Sequence, residues 1–132
     1  TRVVASPTTL CTIGLTVCYD LRFPELYRQL ADSDARLIAV PAAFTAATGK
    51  DHWQVLLRAR AIENQVFVIG ANLVDLEHPT RSLWGGSAII DPWGRVLASL
   101  DSDESGVVMA NIDLHLIEDL RAKMPIANHR KL

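Results

Sequence analysis

Cys18 is the residue whose type and setting most favour covalent chemistry. It ends an apolar, β-branched segment, residues 12–18, that predicts a buried strand. A polar turn over 19–22 and a helix over 24–31 are expected to follow. A sharp turn between strand and helix projects a nucleophile out of the sheet and frees the next N–H, that of Tyr19, to stabilise an oxyanion. The alternative is a small buried thiol that only fills the core.

Arg22 lies in the same turn and has two interpretations. A guanidinium matches the fork of a carboxylate, so Arg22 could bind an anionic substrate. The other interpretation is an ion pair between Asp20 and Arg22 that only fixes the turn. Glu25 follows on the helix and is interpreted as a charge that suits the helix N-terminus, not as a catalytic base.

Ala43, Phe44 and Thr45 follow a second predicted strand, residues 36–40, which Pro41 is expected to end. Ligands of α/β proteins bind at the carboxyl ends of the strands, where the following loops lie. These three residues could therefore line a substrate pocket. Packing of an ordinary loop over residues 42–49 is the alternative.

The clearest predicted helix covers residues 52–64 and carries several titratable side chains. His52 opens it beside a tryptophan, which favours a capping or packing role over partnership with the cysteine nucleophile. Arg58, Arg60 and Glu63 can pair at helical spacing. They are interpreted as structural or subunit-interface charges and not as catalytic groups.

The order of the elements indicates an α/β fold. The first two strands are each followed by a helix that leads into another strand, the third strand covering 66–70. This order favours α/β layering with neighbouring strands partly parallel. Residues 87–100 contain a turn signature between two apolar runs and predict a hairpin. Residues 107–112 are expected to extend the sheet, and 116–123 to form a short helix.

Composition and charge argue against several classes of protein. The chain has 132 residues, 49% hydrophobic and 21% charged, as expected of one packed domain. A net charge of −2 gives no electrostatic reason to bind nucleic acid or an anionic membrane. No secretory signal or membrane-spanning run is visible. Cys11, Cys18 and four histidines show no zinc spacing, so we expect no metal, and reduced thiols predict a cytoplasmic protein.

Several segments resemble the nitrilase superfamily of carbon–nitrogen hydrolases, in the right order. They are Gly-Leu-Thr-Val-Cys-Tyr-Asp-Leu-Arg-Phe-Pro-Glu-Leu over 14–26, Pro-Ala-Ala-Phe over 41–44 followed by Thr-Gly and His-Trp, Leu-Arg-Ala-Arg-Ala-Ile-Glu-Asn-Gln over 57–65, and Gly-Ser-Ala-Ile-Ile-Asp-Pro-Trp-Gly over 86–94. The resemblance implies half of a four-layer α-β-β-α sandwich. It also implies Cys18 as the nucleophile that hydrolyses a non-peptide C–N bond through a thioester, without metal or organic cofactor.

The chain departs from the family's pattern in two places. In the family, a glutamate base and a lysine precede the cysteine, but no acidic residue precedes Cys18 and Arg2 is the only cation there. Residues 1–132 match the C-terminal half of the domain, so we expect a fragment that is inactive alone. Asn72 and residues 75–84 are also less typical, in a loop that often shapes the pocket mouth.

The Arg-Phe-Pro-Glu form of the cysteine motif is most similar to the branch of ω-amidases and deaminated-glutathione amidases. This similarity implies a small amide substrate, with ammonia or an amine and a carboxylic acid as products. An N-carbamoyl-amine hydrolase or a nitrilase is the alternative among enzymes. A non-catalytic binding or scaffolding member of the fold is the alternative from another class. Apolar surfaces left by a missing half predict a homo-oligomer.

Overall fold

The computed structural model describes residues 2–75 and 81–131, and a six-stranded sheet forms its centre. The strands are β1 (Val4–Pro7), β2 (Thr12–Leu15), β3 (Ala35–Ala42), β4 (Phe67–Asn72), β5 (Val74–Asp75), β6 (Leu83–Trp84), β7 (Ala88–Ile90) and β8 (Val96–Ser99). The helices are α1 (Pro24–Asp32), α2 (Ala46–Thr48), α3 (Gln54–Asn64), α4 (His115–Lys123) and α5 (Ile126–His129). A 3₁₀ helix, Cys18–Arg22, precedes α1, and a π-helical turn, Gly49–Trp53, joins α2 to α3.

The strand order is β1-β2-β3-β4-β7-β8, and β5 and β6 form a separate two-stranded ribbon. Neighbours β2, β3 and β4 run parallel, whereas β1, β7 and β8 pair antiparallel with the strands beside them. The predicted α/β layering with partly parallel strands is therefore confirmed. The predicted hairpin is the β7–β8 pair, where the Asp91 carboxylate accepts the N–H groups of Trp93 and Arg95.

Helices α1 and α3 cover one face of the sheet. Leu30 of α1 and Leu57 of α3 are fully buried in the core that they form with the strands. Glycines at Gly14 and Gly70 let these helices approach closely, because a Cβ at Gly70 would lie 2.7 Å from Leu57 Cδ1 and 2.8 Å from Trp53 Cζ2. This close approach fixes the distance between α3 and the sheet near the ends of the strands.

The opposite face of the sheet is apolar and partly open. Its side chains alternate with those that face the helices. Phe67 and Ile89 on this face are buried, whereas the others are half-buried or exposed, namely Leu15, Leu37, Ala39, Pro41, Ile69 and Ala71. The described chain thus has two layers, one of helices and one of sheet. No helix within residues 2–75 and 81–131 is long and apolar enough to cross a membrane.

Several predicted boundaries are wrong, and three of them lie near Cys18 and the cleft. Strand β2 ends at Leu15, so Cys18 lies beyond it. Pro41 does not end β3, which continues to Ala42. The missing N–H of Pro41 costs no ladder bond to β2, because β2 pairs with β3 only as far as Ala39. The segment predicted as a loop up to residue 49 becomes helical at Ala46.

Residues 107–112 do not extend the sheet, so that prediction is also wrong. Val107 and Met109 are each 87% exposed. An apolar run adopts a strand when a neighbouring strand or a core face receives it, and the described residues supply neither here. The C-terminal helix is confirmed as α4, one residue longer at its start than predicted.

Candidate active site

Cys18 occupies a strained position between a strand and a helix. It begins the 3₁₀ helix Cys18–Arg22, here called the cysteine turn, with φ at 46°. A left-handed conformation costs a residue other than glycine about 1–3 kcal/mol, and such strain is concentrated at functional sites. The sharp turn predicted after this strand is thus present, and it begins three residues beyond the end of β2.

Local hydrogen bonds maintain the cysteine turn. The Asp20 carboxylate accepts the N–H of Val17 at 2.9 Å, and the Asp20 N–H donates to the Val17 carbonyl at 3.0 Å. On the strand side, Thr16 donates its N–H and its hydroxyl to the Ala39 carbonyl of β3. These contacts tie the residues on the N-terminal side of Cys18 to the sheet.

The N–H of Tyr19 has no acceptor among residues 2–75 and 81–131. It belongs to the first turn of a short helix, where N–H groups lack intrahelical partners. The Tyr19 side chain is 65% exposed and does not bury this part of the turn. The free donor beside Cys18 is the arrangement that an oxyanion site requires.

A cleft of about 530 Å³ opens beside Cys18. Its lining contains all six residues predicted from the sequence, Cys18, Tyr19, Arg22, Ala43, Phe44 and Thr45. The roles predicted for them remain predictions, but the geometry brings them together. Of the other three lining residues, Arg81 lies in the stretch expected to shape the pocket mouth, whereas Thr48 and His52 were not predicted to line it. Thr48 and His52 have the i, i+4 spacing that places two side chains on one face of a helix. The small residues that precede them favour a loop instead and obscure this signal.

Arg22 faces this cleft and not a carboxylate. Its guanidinium lies 5.0 Å from the ring centroid of Phe44 and 5.4 Å from that of Tyr19. Its Nη1 lies 3.2 Å from His52 Nδ1, and since arginine has no acceptor, His52 Nδ1 accepts. No ion pair within residues 2–75 and 81–131 includes Arg22, so the predicted Asp20–Arg22 pair is wrong. Its charge remains available to a ligand.

The segment after β3 is held by Asn72 at the end of β4. Asn72 Oδ1 accepts the N–H of Phe44 at 2.8 Å, and its Nδ2 donates to the Gly85 carbonyl. Phe44 is buried and packs on the Trp53 ring, with centroids 5.2 Å apart. Asn72 lies in a stretch predicted to shape the pocket mouth. Residues 76–80 of that stretch lie outside the described residues.

A second, largely apolar cleft of about 570 Å³ lies on the other side of Cys18. It is lined by Val17, Cys18, Pro41, Ala42, Ala43, Ala71, Asn72, Leu73 and Ser87. Cys18 and Ala43 line both clefts, so the thiol stands between a charged and an apolar space. Residues 2–75 and 81–131 contain no cluster of three His, Cys, Asp or Glu side chains that could hold a metal ion.

Comparison with known proteins identifies the family. The family model of the carbon-nitrogen hydrolases matches residues 1–122. The chain belongs to the carbon-nitrogen hydrolase family. This membership confirms the resemblance of the cysteine motif and the fold class inferred from it. The chain is thus a fragment of the nitrilase fold, in a family of enzymes.

Individual relatives agree with this assignment. The deaminated glutathione amidase of Dictyostelium discoideum is 49% identical over 120 residues, which are 91% of this chain and 41% of that protein. A Saccharomyces cerevisiae member of branch 10 of the nitrilase superfamily superposes with a TM-score of 0.92 at 32% identity, over 100% of this chain and 48% of that one. An amidase variant from Nesterenkonia, with acrylamide added to its active-site cysteine, gives 0.75 at 29% identity, over 98% and 50%. The carbon-nitrogen hydrolase chain therefore spans half or less of these relatives.

Proposed function

We propose that this chain is the nucleophile-bearing half of an amidase that hydrolyses a small amide through a thioester on Cys18. The observation that carries the proposal is the left-handed Cys18, which lines a cleft together with Tyr19, whose N–H has no acceptor among the described residues, and Arg22, whose guanidinium has no carboxylate partner among them. A solved relative carries an adduct on its active-site cysteine, which supports the same role here. Strain at a reactive residue is consistent with a preorganised nucleophile.

The proposed reaction has two steps. The Cys18 thiol loses its proton to a base, and the thiolate attacks the amide carbon while the Tyr19 N–H binds the developing oxyanion. The C–N bond breaks, the nitrogen takes a proton and departs as ammonia or an amine, and an acyl thioester remains on Cys18. Water then attacks the thioester carbon, releasing the carboxylic acid and the thiol. No acidic residue precedes Cys18, so the proposal assigns the base and the lysine to a segment beyond residues 1–132.

The proposed substrate is a small amide that also carries a carboxylate. Arg22 has no carboxylate partner among the described residues and lines the cleft with Ala43, Phe44 and Thr45. A relative named deaminated glutathione amidase supports an amide over an N-carbamoyl amine or a nitrile. Deaminated glutathione and short ω-amides of dicarboxylic acids are therefore the substrates to try first.

The proposal includes a location and an assembly. We infer a cytoplasmic homo-oligomer that binds neither nucleic acid nor membrane. Two free thiols support a reducing compartment, and a net charge of −2 gives nucleic acid no attraction. Exposed apolar side chains, among them Val17 at 59% and Leu73 at 63%, support association.

Variants at the two cysteines test the proposed function. In the protein purified at its native length, Cys18→Ala should lower amide hydrolysis by at least about 1,000-fold, because the covalent route disappears. Cys11→Ala is the matched control and should retain activity, since Cys11 lines neither cleft beside Cys18. Ammonia release is the measurement. Full activity in Cys18→Ala, or amide turnover by residues 1–132 alone, would contradict the proposal.

A further inference from the structure

Arg60 is a buried charge whose hydrogen bonds reach the cysteine turn. It lies on α3 and is 5% exposed. Its Nε and Nη2 donate to one oxygen, the Leu21 carbonyl, at 3.0 Å and 2.8 Å. Its Nη1 pairs with Glu63 at 3.0 Å, so the pairing expected at helical spacing is confirmed. The longer-range contact with Leu21 is one that spacing along a helix cannot reveal.

Burying a guanidinium is costly unless its nitrogens find hydrogen-bond partners. Each Arg60 nitrogen has one, since Nε and Nη2 share the Leu21 carbonyl of the cysteine turn, 39 positions away in the sequence, and Nη1 binds Glu63. The fully buried Leu21 side chain anchors the same residue from the other side. The end of the cysteine turn is therefore held by one buried side chain from α3.

A second chain of contacts connects Arg60 to the start of the turn. Its guanidinium lies 5.4 Å from the ring centroid of Tyr27, a cation–π distance. The Tyr27 hydroxyl lies 3.1 Å from Thr16 Oγ1, which donates to Ala39. Thr16 precedes Cys18 by two positions and Leu21 follows it by three. The Tyr27–Arg60 stack therefore joins the contacts on the two sides of the nucleophile.

We propose that Arg60 is a positioning residue for the nucleophile, setting the left-handed backbone of Cys18 by holding the Leu21 carbonyl. This inference rests on the proposed function. A strained backbone conformation persists only where surrounding contacts hold it in place. At the end of the cysteine turn, the buried hydrogen bonds from Arg60 to the Leu21 carbonyl provide such contacts. Without them the turn can relax, displacing the thiol and the Tyr19 N–H relative to the amide carbon. A displacement of about 1 Å can cost about 100-fold in rate.

Arg58 provides a matched control on the same helix. Its Nε donates to a backbone carbonyl, that of Gly94, at 2.7 Å. It therefore makes the same kind of contact, but with the hairpin turn and not with the cysteine turn. Arg58→Met and Arg60→Met both remove a guanidinium from α3 and leave one carbonyl without its donor. Only the second should affect chemistry at Cys18.

The experiment measures kcat and KM of the native-length protein for a neutral small amide, which avoids any effect on Arg22. Arg60→Met should lower kcat about 10- to 100-fold with KM changed less than about threefold. Arg60→Lys, which keeps a cation beside Glu63 and can donate to Leu21, should recover part of this and fall only about 3- to 10-fold. Arg58→Met should keep kcat within about twofold. Far-ultraviolet circular dichroism and urea unfolding establish that each variant is folded.

The outcomes separate the two proposals. If Cys18→Ala keeps its activity, the proposed function is wrong whatever Arg60 does. If Cys18→Ala is inactive but Arg60→Met keeps the kcat of Arg58→Met, the positioning role is overturned and the function stands. Should Arg60→Met fail to fold, Arg60→Lys decides, because a folded lysine variant with unchanged kcat overturns the inference. Relative alkylation of Cys18 and Cys11 by iodoacetamide gives a second readout, and the ratio should fall only in the Arg60 variants.

Discussion

At the scale of single residues, the site depends on two hydrogen-bond donors that remain available to a ligand. Tyr19 has a free N–H and Arg22 has no carboxylate partner among the described residues. Asp20, in contrast, uses its carboxylate on the Val17 N–H. The turn thus stabilises itself with Asp20 and presents Arg22 to the cleft. This division argues for a substrate with a negative charge.

Arg22 should control the choice between charged and neutral amides. Arg22→Met is expected to raise KM for a carboxylate-bearing amide about 10- to 100-fold, because a charge-assisted hydrogen bond contributes about 1.5–3 kcal/mol. KM for a neutral amide of similar size should change less than about threefold. Steady-state kinetics with the two amides makes the comparison. An equal loss for both would mean that Arg22 supports the turn and does not bind substrate.

Tyr27 should make the stability of the fold depend on alkaline pH. Burial raises the pKa of Tyr27 to about 12 from its ordinary value of 10.0, although the Thr16 hydrogen bond and the Arg60 charge oppose this rise. Above pH 10 the unfolded chain therefore loses this proton more readily than the folded chain, and stability falls as pH rises towards 12. Between about pH 9.5 and about pH 11.5 the loss should be about 2 kcal/mol.

Urea unfolding of the wild-type protein and Tyr27→Phe at both pH values isolates this effect. The phenylalanine variant cannot ionise at this position. Over the same pH interval its free energy of unfolding should therefore decrease by about 2 kcal/mol less than that of the wild-type protein. At neutral pH it should lose about 1 kcal/mol, for the hydrogen bond to Thr16. Identical pH dependence in the two proteins would show that Tyr27 ionises in the folded state as it does in the unfolded chain.

At the scale of elements, the site is built where β2, β3 and β4 end and where α3 approaches the sheet. The close contact at Gly70 brings Trp53 and Leu57 of the α3 region against β4. Trp53 then packs on Phe44, a wall of the cleft, and donates its Nε1–H to the Gly86 carbonyl. The distance between α3 and the sheet therefore sets the position of Phe44 in the wall of the cleft.

Gly70→Ala should destabilise the fold by about 1–3 kcal/mol, because its Cβ would lie 2.7 Å from Leu57 and force the core to shift. Gly106→Ala is the matched control, since the nearest atom to its Cβ would be Leu100 Cδ2 at 3.5 Å, an ordinary contact. Its stability should change by less than about 0.5 kcal/mol. The midpoint of urea unfolding is the measurement, and equal midpoints for the two variants would refute the close-packing argument.

The sequence predicted the elements better than their ends. The helix after Cys18 and the β7–β8 hairpin follow from local signals, namely Pro24 at a helix start and the turn at Gly94. The sequence does not indicate the helical start at Ala46, because Gly49 resembles a loop residue, yet a Cβ at Gly49 would clash with the Trp84 side chain. Glycine is required at this position because Trp84, which is distant in the sequence, leaves no room for a side chain. A local sequence pattern cannot reveal that requirement. Contacts of this kind also explain why the role proposed for Arg60 required the structure.

At the scale of the whole molecule, the described chain is one sheet with helices on one face and an open apolar face on the other. Cys18 lies beyond the C-terminal end of β2, where it lines both a charged cleft and an apolar one. The chain spans 41% of the Dictyostelium amidase, and no acidic residue precedes Cys18. We therefore propose that the nucleophile and the substrate contacts lie in this half and the base in another segment.

A thioester on Cys18 can be trapped and identified during turnover. The native-length protein is mixed with an excess of a short ω-amide, quenched in acid within the first turnovers, digested and analysed by mass spectrometry. We expect an acyl group on the peptide that contains Cys18, no acyl group at Cys11, and loss of the acyl group after longer incubation as water releases the acid. Ammonia release with no acyl group on Cys18, or with the acyl group on another residue, would contradict the thioester mechanism.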